Sequence, residues 1–260
     1  MISQFDIARN GSRPVTSLPT IPSKRHKMKG GGVGMRGIIS TLSIQPTSGE
    51  EQSGSGMLAA GTWTRQVGLY DTNGMGGTVA TWSIAEVADQ HAGIGGTGVT
   101  QTLWSSCGRY LYVAERQSIG MLVYDVRVSS KLVGWLSGRE AKTNQRLSVD
   151  VFPGERGTEV WSGGTDGVVR VWENVGLCEG AQECSWSWRA HDDSVGSTVV
   201  HSSGTVVATC SGQRTRLDEA FDDDTDASSS DEESSSTPPL SASSASSESG
   251  IENSLKVWAL

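Results

Sequence analysis

A short hairpin pattern that recurs along the chain restricts its fold more than any other feature. Between residues 158 and 173, two runs rich in β-branched and aromatic residues flank the sequence Thr165-Asp166-Gly167. Glycine tolerates a positive φ, and aspartate accepts hydrogen bonds from nearby backbone N–H groups, so this segment predicts a β-hairpin. We expect Asp166 to brace the turn rather than to bind a ligand.

Related segments end in an aromatic residue at Tyr70, Tyr124, Trp172 and Trp258, which are 54, 48 and 86 residues apart. The last interval contains an insertion of roughly 38 low-complexity residues, so the underlying period stays near about 48. A period of about 40–45 residues whose strand ends in a Trp-Asp-like pair is typical of a WD40 blade. An evenly stranded β-sandwich would explain the strands but would not repeat the aromatic residue at one phase.

Further apolar runs complete each repeat, because four strands make one propeller blade. Runs before the hairpins occupy residues 37–44, 99–104, 147–152 and 194–200. Runs after the first three hairpins occupy residues 78–84, 131–137 and 184–188. The sequence therefore predicts an all-β, WD40-type β-propeller with about four complete blades, and packing between blades is the simplest role for its tryptophans Trp63, Trp104, Trp161, Trp172 and Trp258.

Composition divides the chain into four segments. Residues 1–34 hold two strand-like runs, 2–7 and 15–18, with nothing upstream to supply the inner strands of their blade. We interpret them as the remnant of an upstream blade in a truncated chain. A basic, Gly-rich linker follows, whose cluster at 24–29 suits nuclear import, a nucleic-acid contact or a solvated loop. Residues 35–212 form the blades, 213–252 an insertion in the last blade, and 253–260 its closing strand.

The insertion is acidic and rich in serine. Residues 217–252 carry eleven acids and no Lys or Arg, so the rest of the chain, whose total charge is −8, is mildly basic. So few apolar residues cannot offset the entropy of ordering, and we expect disorder. Ser228, Ser229 and Ser230 each have an acid three residues later, which suits an acidophilic kinase. A tolerated loop extension explains the insertion equally well.

Motifs of catalysis and cofactor binding do not emerge. The four cysteines show no disulfide framework, Cys178 and Cys184 are not spaced as zinc ligands, and the histidines are scattered. Two G-x-G-x-x-G matches, at 32–37 and 93–98, each precede a strand instead of the helix that a dinucleotide site needs. No apolar run reaches the roughly 18 residues of a membrane span. We therefore expect a soluble intracellular protein that is not an enzyme and has no cofactor, metal, membrane partner or small-molecule substrate.

The linker at residues 137–146 is the least propeller-like stretch. It concentrates Arg, Lys, Asn and Gln, whose forked or bidentate groups suit phosphates and base edges. Such a linker lies on one rim of a propeller, as does the equivalent segment 189–193, and we place the loop that begins at Gly212 on the opposite end. The candidate RNA-binding residues are Arg139, Lys142, Asn144, Gln145, Arg146, Gln213 and Arg214, with Arg36 and Arg65 as weaker candidates. The alternative is that linker residues such as Arg139, Glu140 and Asn144 tie it to neighbouring blades.

Three segments carry a family resemblance. Gly37-Ile38-Ile39-Ser40, Gly138-Arg139-Glu140 with Thr143-Asn144-Gln145-Arg146, and Ser211-Gly212-Gln213-Arg214 resemble, in order and spacing, the telomerase Cajal body protein family of WD40 proteins. The likeness covers about residues 35–216 and the closing strand, and it extends to fungal-type members. It implies more blades than are present here, so that the chain would be a C-terminal fragment. The insertion is longer and richer in serine than the family pattern.

The resemblance also implies a function. Family members bind box-containing small Cajal body RNAs and telomerase RNA, and they deliver these particles to nuclear bodies. We expect a non-enzymatic scaffold that binds a small nuclear RNA and its proteins, located in the nucleus with some in the cytoplasm. The alternative is a protein–protein scaffold in a splicing or chromatin complex.

Overall fold

The computed structural model describes residues 1–8, 11, 13–21, 34–46, 56–73, 77–128, 131–212 and 252–260. A short antiparallel pair opens the chain, with β1 (Ile2–Gln4) alongside β2 (Thr16–Leu18). A first sheet follows, made of β3 (Ile39–Ile44), β4 (Met57–Thr62), β5 (Gln66–Asp71) and β6 (Gly77–Ser83). The second contains β7 (Val99–Trp104), β8 (Tyr110–Glu115), β9 (Gly120–Asp125) and β10 (Lys131–Ser137).

The two remaining sheets complete the array. The third sheet contains β11 (Val149–Pro153), β12 (Thr158–Gly163), β13 (Val168–Val175) and, after β14 (Gly180–Gln182), the strand β15 (Trp186–Arg189). The last sheet contains β16 (Val195–Val200), β17 (Val206–Ser211) and β18 (Ser254–Ala259). Within each sheet these strands pair antiparallel in chain order, apart from β14. One five-residue π-helix, Val87–His91, connects β6 to β7.

The all-β prediction and the order of the strands are confirmed, but the expected strand count needs two corrections. Among the described residues, three sheets have four antiparallel strands and the last has three, instead of about four complete blades. The strand predicted at 184–188 corresponds to β15, whereas β14 is an additional strand that was not predicted and that leaves its own sheet to pair in parallel with β10 of the preceding one. Gly134 on β10 permits this, since a Cβ there would lie 2.3 Å from the carbonyl oxygen of Gly180.

Alternation of side chains explains how one strand serves two interfaces. Leu111 and Val113 of β8 pack toward the first sheet, whereas Tyr112 and Ala114, on the other face of the strand, pack toward the third. Successive strand residues point to opposite faces, and a strand covered on both faces must be apolar on both. The sheets therefore stack side by side with a hydrophobic layer between each neighbouring pair.

The repeated aromatic residue has a common position in this stack. Tyr124 packs in the hydrophobic layer between the first and second sheets, and Trp172 packs in the layer between the second and third sheets. Trp258 packs against the layer between the third and fourth sheets. Tyr70 packs in the same way against the β1–β2 pair through Ile2 and Leu18. The aromatic residue thus fills the interface with the preceding strands each time. That the β1–β2 pair is the remnant of an upstream blade stays a prediction.

Polar contacts connect the innermost strands β3, β7, β11 and β16, which lie next to one another in that order. The side chain of Gln101 on β7 donates to the carbonyl oxygen of Val149 and accepts from its N–H, at 2.8 and 3.0 Å. Asp150 on β11 accepts from the N–H of Val200 on β16 at 2.8 Å. These contacts set the spacing of the linkers at the ends of the strands.

No helix in the described ranges is long and apolar enough to cross a bilayer.

Candidate nucleic-acid interface

The linker between β10 and β11 lies at the end of the sheets where the second and third strands are joined. The N–H of Gln117, in the β8–β9 turn, donates to the carbonyl oxygen of Thr143 at 3.1 Å. The N–H of Thr165, in the β12–β13 turn, donates to the carbonyl oxygen of Glu140 at 2.7 Å. We call this end the linker rim and define it by residues 138–148 together with the turns at 63–65, 116–119, 164–167 and the end of β17.

Arg139 anchors the linker from inside the protein. Its side chain is 2% exposed, and its guanidinium donates to the Ser162 hydroxyl at 2.9 Å and to the carbonyl oxygens of Glu115 at 3.3 Å and Leu147 at 3.0 Å. Burial lowers the pKa of Arg139 to about 10, so it stays protonated at neutral pH. An RNA phosphate cannot reach this group. The position corrects the expectation that Arg139 binds RNA and fits the alternative that it ties the linker to its neighbours.

The remaining linker candidates lie at the surface. Lys142, Asn144 and Arg146 are exposed, and Gln145 is half-buried. Within the described residues, neither Lys142 nor Arg146 has a carboxylate partner. Asn144 accepts a hydrogen bond from the amide of Gln117 at 3.2 Å, which joins the linker to the neighbouring turn. A fixed loop therefore presents two unpaired cations to solvent.

Arg65 is on the same rim but its charge is already compensated. It donates to Glu115 at 2.8 Å and to Asp89 at 2.7 Å. Burial alone would lower the pKa of Arg65, but the two carboxylates outweigh it and raise that pKa. Burial raises the pKa of Glu115 despite the arginine, whereas the hydrogen bond from Arg65 lowers the pKa of Asp89. Arg65 is therefore a weaker phosphate ligand than its sequence position suggests.

Arg36 lies beside this cluster. Its side chain is exposed, and its carbonyl oxygen accepts from the Thr64 hydroxyl at 2.5 Å in the β4–β5 turn. In the described part of the chain it has no acidic partner. Arg36 thus extends the surface of exposed cations from the linker toward the first sheet.

The two described ends of the loop that begins at Gly212, Gly212 itself and Glu252, lie on the linker rim, not on the opposite end. The N–H of Asp192, in the linker before β16, donates to the carboxylate of Glu252 at 2.6 Å, and Glu252 lies two residues before the start of β18. The placement expected from the sequence is wrong because the turn between second and third strands and the linker between sheets share one end of each blade. Gln213, Arg214, the serines Ser228, Ser229 and Ser230 and the basic cluster at 24–29 lie outside the described residues.

A set of hydrogen bonds that sequence reasoning missed connects this last hairpin to the linker before β16, and we call the contacts of His191 and Asp192 with Glu252 and Thr209 the latch. His191 is 1% exposed, its Nδ1 lies 3.0 Å from Glu252, and its Nε2 lies 2.8 Å from the hydroxyl of Thr209 on β17. The indole N–H of Trp258 donates to the same hydroxyl at 2.9 Å. Only the position of His191 in the rim segment 189–193 could have indicated these bonds, because its partners Thr209 and Glu252 are 18 and 61 residues away.

Asp166 makes contacts within its own hairpin. It accepts from the N–H of Val168 at 3.3 Å and pairs with Arg170 at 2.6 Å. Burial would raise the pKa of Asp166, but Arg170 outweighs it and the pKa is lowered. Gly167, next to it, has a φ of +77°, and a Cβ there would lie 2.1 Å from the carbonyl oxygen of His191. The turn thus needs glycine at this position both for its backbone conformation and for space.

Trp63 contradicts the packing interpretation of the tryptophans. It is 50% exposed, and the guanidinium carbon of Arg116 lies 4.8 Å from the centre of its ring. The other four tryptophans pack in or against the hydrophobic layers. Trp63 follows β4 directly, as Arg116 follows β8, so aligning the hairpins would have placed both residues in equivalent turns on one rim.

Groups of three or more His, Cys, Asp or Glu side chains placed to hold a metal ion do not occur within the described ranges.

The stacked four-stranded sheets are those of a WD40-repeat β-propeller. The crystal structure of RRP9 WD40 repeats matches with a TM-score of 0.50 and 16% sequence identity, over 69% of this chain and 46% of that chain. No family model matches the sequence.

Two curated relatives indicate the family. The chain is 34% identical over 145 residues to guanine nucleotide-binding protein negative regulator 1 of Schizosaccharomyces pombe, which is 56% of this chain and 32% of that protein. It is 30% identical over 182 residues to human telomerase Cajal body protein 1, which is 70% of this chain and 29% of that protein. The chain spans about a third of the length of these relatives. It belongs to a WD40-repeat family that includes telomerase Cajal body protein 1, as the three motif segments indicated.

Proposed function

We propose that this protein is a non-enzymatic WD40 scaffold that binds an RNA of the small nuclear class, together with its proteins, on the linker rim. The observation that carries the proposal is the exposure of Lys142, Arg146 and Arg36 without acidic partners among the described residues, on a rim whose linker is held in place by buried Arg139. Unpaired cations on a fixed surface gain affinity for phosphates by releasing counterions. Asn144 and Gln145 lie between Lys142 and Arg146 in the linker, and their side-chain amides are suited to hydrogen bonds with base edges.

The human relative supports the choice of RNA. Its name refers to telomerase and to the Cajal body, a nuclear structure. A telomerase-type or small Cajal body RNA is therefore the ligand we propose, and the nucleus the location. Gly212 and Glu252, which flank the acidic insertion, both lie at the linker rim, and the charge of the insertion favours basic partner proteins and disfavours nucleic acid of the wrong kind.

The test is binding of a labelled small nuclear RNA to the full chain, compared with the double variant Lys142→Gln/Arg146→Gln. We expect the variant to bind more weakly and to show a shallower dependence of affinity on salt, by about one unit of slope for each phosphate that it no longer neutralises. Arg109→Gln/Arg156→Gln is the matched control, since it removes two exposed arginines from the turns between first and second strands, at the other end of the sheets. Equal weakening in both variants would contradict a specific rim site.

A protein–protein scaffold is the second candidate. It is favoured by the Schizosaccharomyces pombe relative, whose name describes a regulator of a guanine nucleotide-binding protein. Crosslinking and RNA sequencing from cells that carry the tagged chain separates the two. Enrichment of nuclear RNA that disappears in the rim variant supports the RNA scaffold, whereas unchanged co-purifying proteins without RNA favour the alternative.

A further inference from the structure

Trp63 projects from the β4–β5 turn at the linker rim, where half of its surface is exposed. The backbone beneath it is fixed, since its N–H donates to the carbonyl oxygen of Ile38 at 3.1 Å. The backbone at Gly98 also lies close to Trp63, because a Cβ on Gly98 would be 2.9 Å from the Trp63 carbonyl oxygen. The ring is thus held at a defined place without being part of a hydrophobic layer.

Arg116 covers Trp63 from the next sheet. Its Nε is buried and has no hydrogen-bond partner among the described atoms, and its Nη2 reaches only the carbonyl oxygen of Thr97, at 3.5 Å. No carboxylate pairs with this guanidinium in the described residues. Its position is therefore accounted for by the aromatic ring, where a cation is attracted to the electron-rich face.

The other sheets do not repeat this arrangement. The residues that follow β12 and β17 at the equivalent position are Gly164 and Gly212. A large aromatic side chain kept half in water offers little to the stability of the fold, and such residues are enriched where surfaces bind partners. The Trp63–Arg116 pair also lies next to the Arg36 segment, whose carbonyl oxygen accepts from Thr64.

We propose that Trp63 and Arg116 form a stacking subsite for an unpaired base of RNA. This inference rests on the proposed function, because it assigns a ligand class to the same rim. A free base stacks on an aromatic face or an arginine plane, whereas bases inside a duplex are already stacked and out of reach. Arg36, whose carbonyl oxygen accepts from the hydroxyl of Thr64 next to Trp63, is the candidate contact for the flanking phosphate. The rim accordingly selects a single-stranded loop, bulge or end rather than a paired stem.

The experiment measures the affinity of the full chain for a uridine-rich single-stranded RNA and for the perfectly paired duplex of the same sequence. We expect Trp63→Leu to weaken single-strand binding by about 5- to 150-fold and to leave duplex binding unchanged. Trp63→Phe should recover much of the affinity, because a phenyl ring still stacks. Trp186→Leu is the matched control: this tryptophan is 38% exposed but lies on the outer strand β15.

The outcomes separate the subsite from the proposed function. If Trp63→Leu binds the single strand as tightly as the wild type while Lys142→Gln/Arg146→Gln does not bind it, the rim binds RNA but the stacking subsite is wrong. If the wild type binds neither RNA, both proposals fail. If Trp63→Leu changes only which proteins co-purify, the pair is a protein contact and the inference is overturned. Equal unfolding midpoints of the variants show that each comparison is made on folded protein.

Discussion

Arg139 shows how much a single side chain can decide at this rim. Two of its hydrogen bonds connect the linker to Glu115 on β8 and Ser162 on β12, and the third joins the start of the linker to Leu147 near its end. A buried cation is stable only when its hydrogen bonds are made, and removing it leaves the acceptors unsatisfied. The residue therefore positions Lys142 and Arg146 without facing solvent itself.

We predict that Arg139→Met lowers the free energy of unfolding by about 3 kcal/mol, because methionine fills the space but donates no hydrogen bond. Urea denaturation followed by tryptophan fluorescence measures the change. Arg146→Met, at an exposed position of the same linker, should stay within about 0.5 kcal/mol of the wild type. A variant of Arg139 as stable as this control would show that the guanidinium contacts do not hold the linker.

At the scale of elements, the β17–β18 hairpin depends on a latch at its end. Glu252 accepts hydrogen bonds from the Ser254 hydroxyl and the N–H of Asp192, and it pairs with Lys256 at 2.7 Å beside His191. Lys256 is the strongest of the groups that hold the pKa of Glu252 well below its usual value of 4.5. A depressed pKa means that the unfolded chain binds this proton more readily than the folded one. The contribution to stability is therefore present above about pH 4.5 and is lost as the pH falls.

We predict that Glu252→Gln is less stable than the wild type at neutral pH and that its urea midpoint falls less between about pH 5 and pH 3. Chemical denaturation over that range measures both effects. Glu155→Gln, which changes an exposed glutamate in the β11–β12 turn, should keep the wild-type slope. Parallel pH curves for the wild type and Glu252→Gln would argue against the latch.

At the scale of the whole molecule, the two ends of the stack expose apolar side chains. On β3, Leu42 and Ile44 are 51% and 70% exposed, and on β18, Leu255 and Val257 are 73% and 67% exposed. In the described part of the chain β18 pairs along one edge only, with β17. Exposed apolar strands with a free edge are the usual sites of association between chains.

We predict that the isolated chain associates as its concentration rises and that Leu255→Lys/Val257→Lys reduces this association. Charged residues on an edge strand oppose pairing with another strand. Sedimentation velocity over a range of concentrations measures the effect. Leu177→Lys, at an exposed apolar position in the loop between β13 and β14, serves as the control and should associate like the wild type. A wild-type chain that stays monomeric throughout would contradict the prediction.

Much of the fold was predictable because its signals are local. Val99–Trp104 and Lys131–Ser137 were predicted with the observed bounds, since each is a run of alternating or continuous apolar residues between turn signals. β14 escaped prediction because Gly180–Gln182 has no strand pattern of its own and is extended only by pairing with Gly134. The candidate site was predictable as a region and not residue by residue.

The sequence by itself determined the repeating hairpins, the apolar faces of each strand and the aromatic residue that fills each layer, because side-chain alternation and turn chemistry are local properties. Only the tertiary structure decided which polar residues are available to a ligand. Arg139 and Arg146 belong to one linker, yet one is enclosed by β8 and β12 and the other is exposed. Trp63 and Arg116 are brought together from neighbouring sheets. Solvent access and such pairings depend on how the blades stack, which no short stretch of sequence contains.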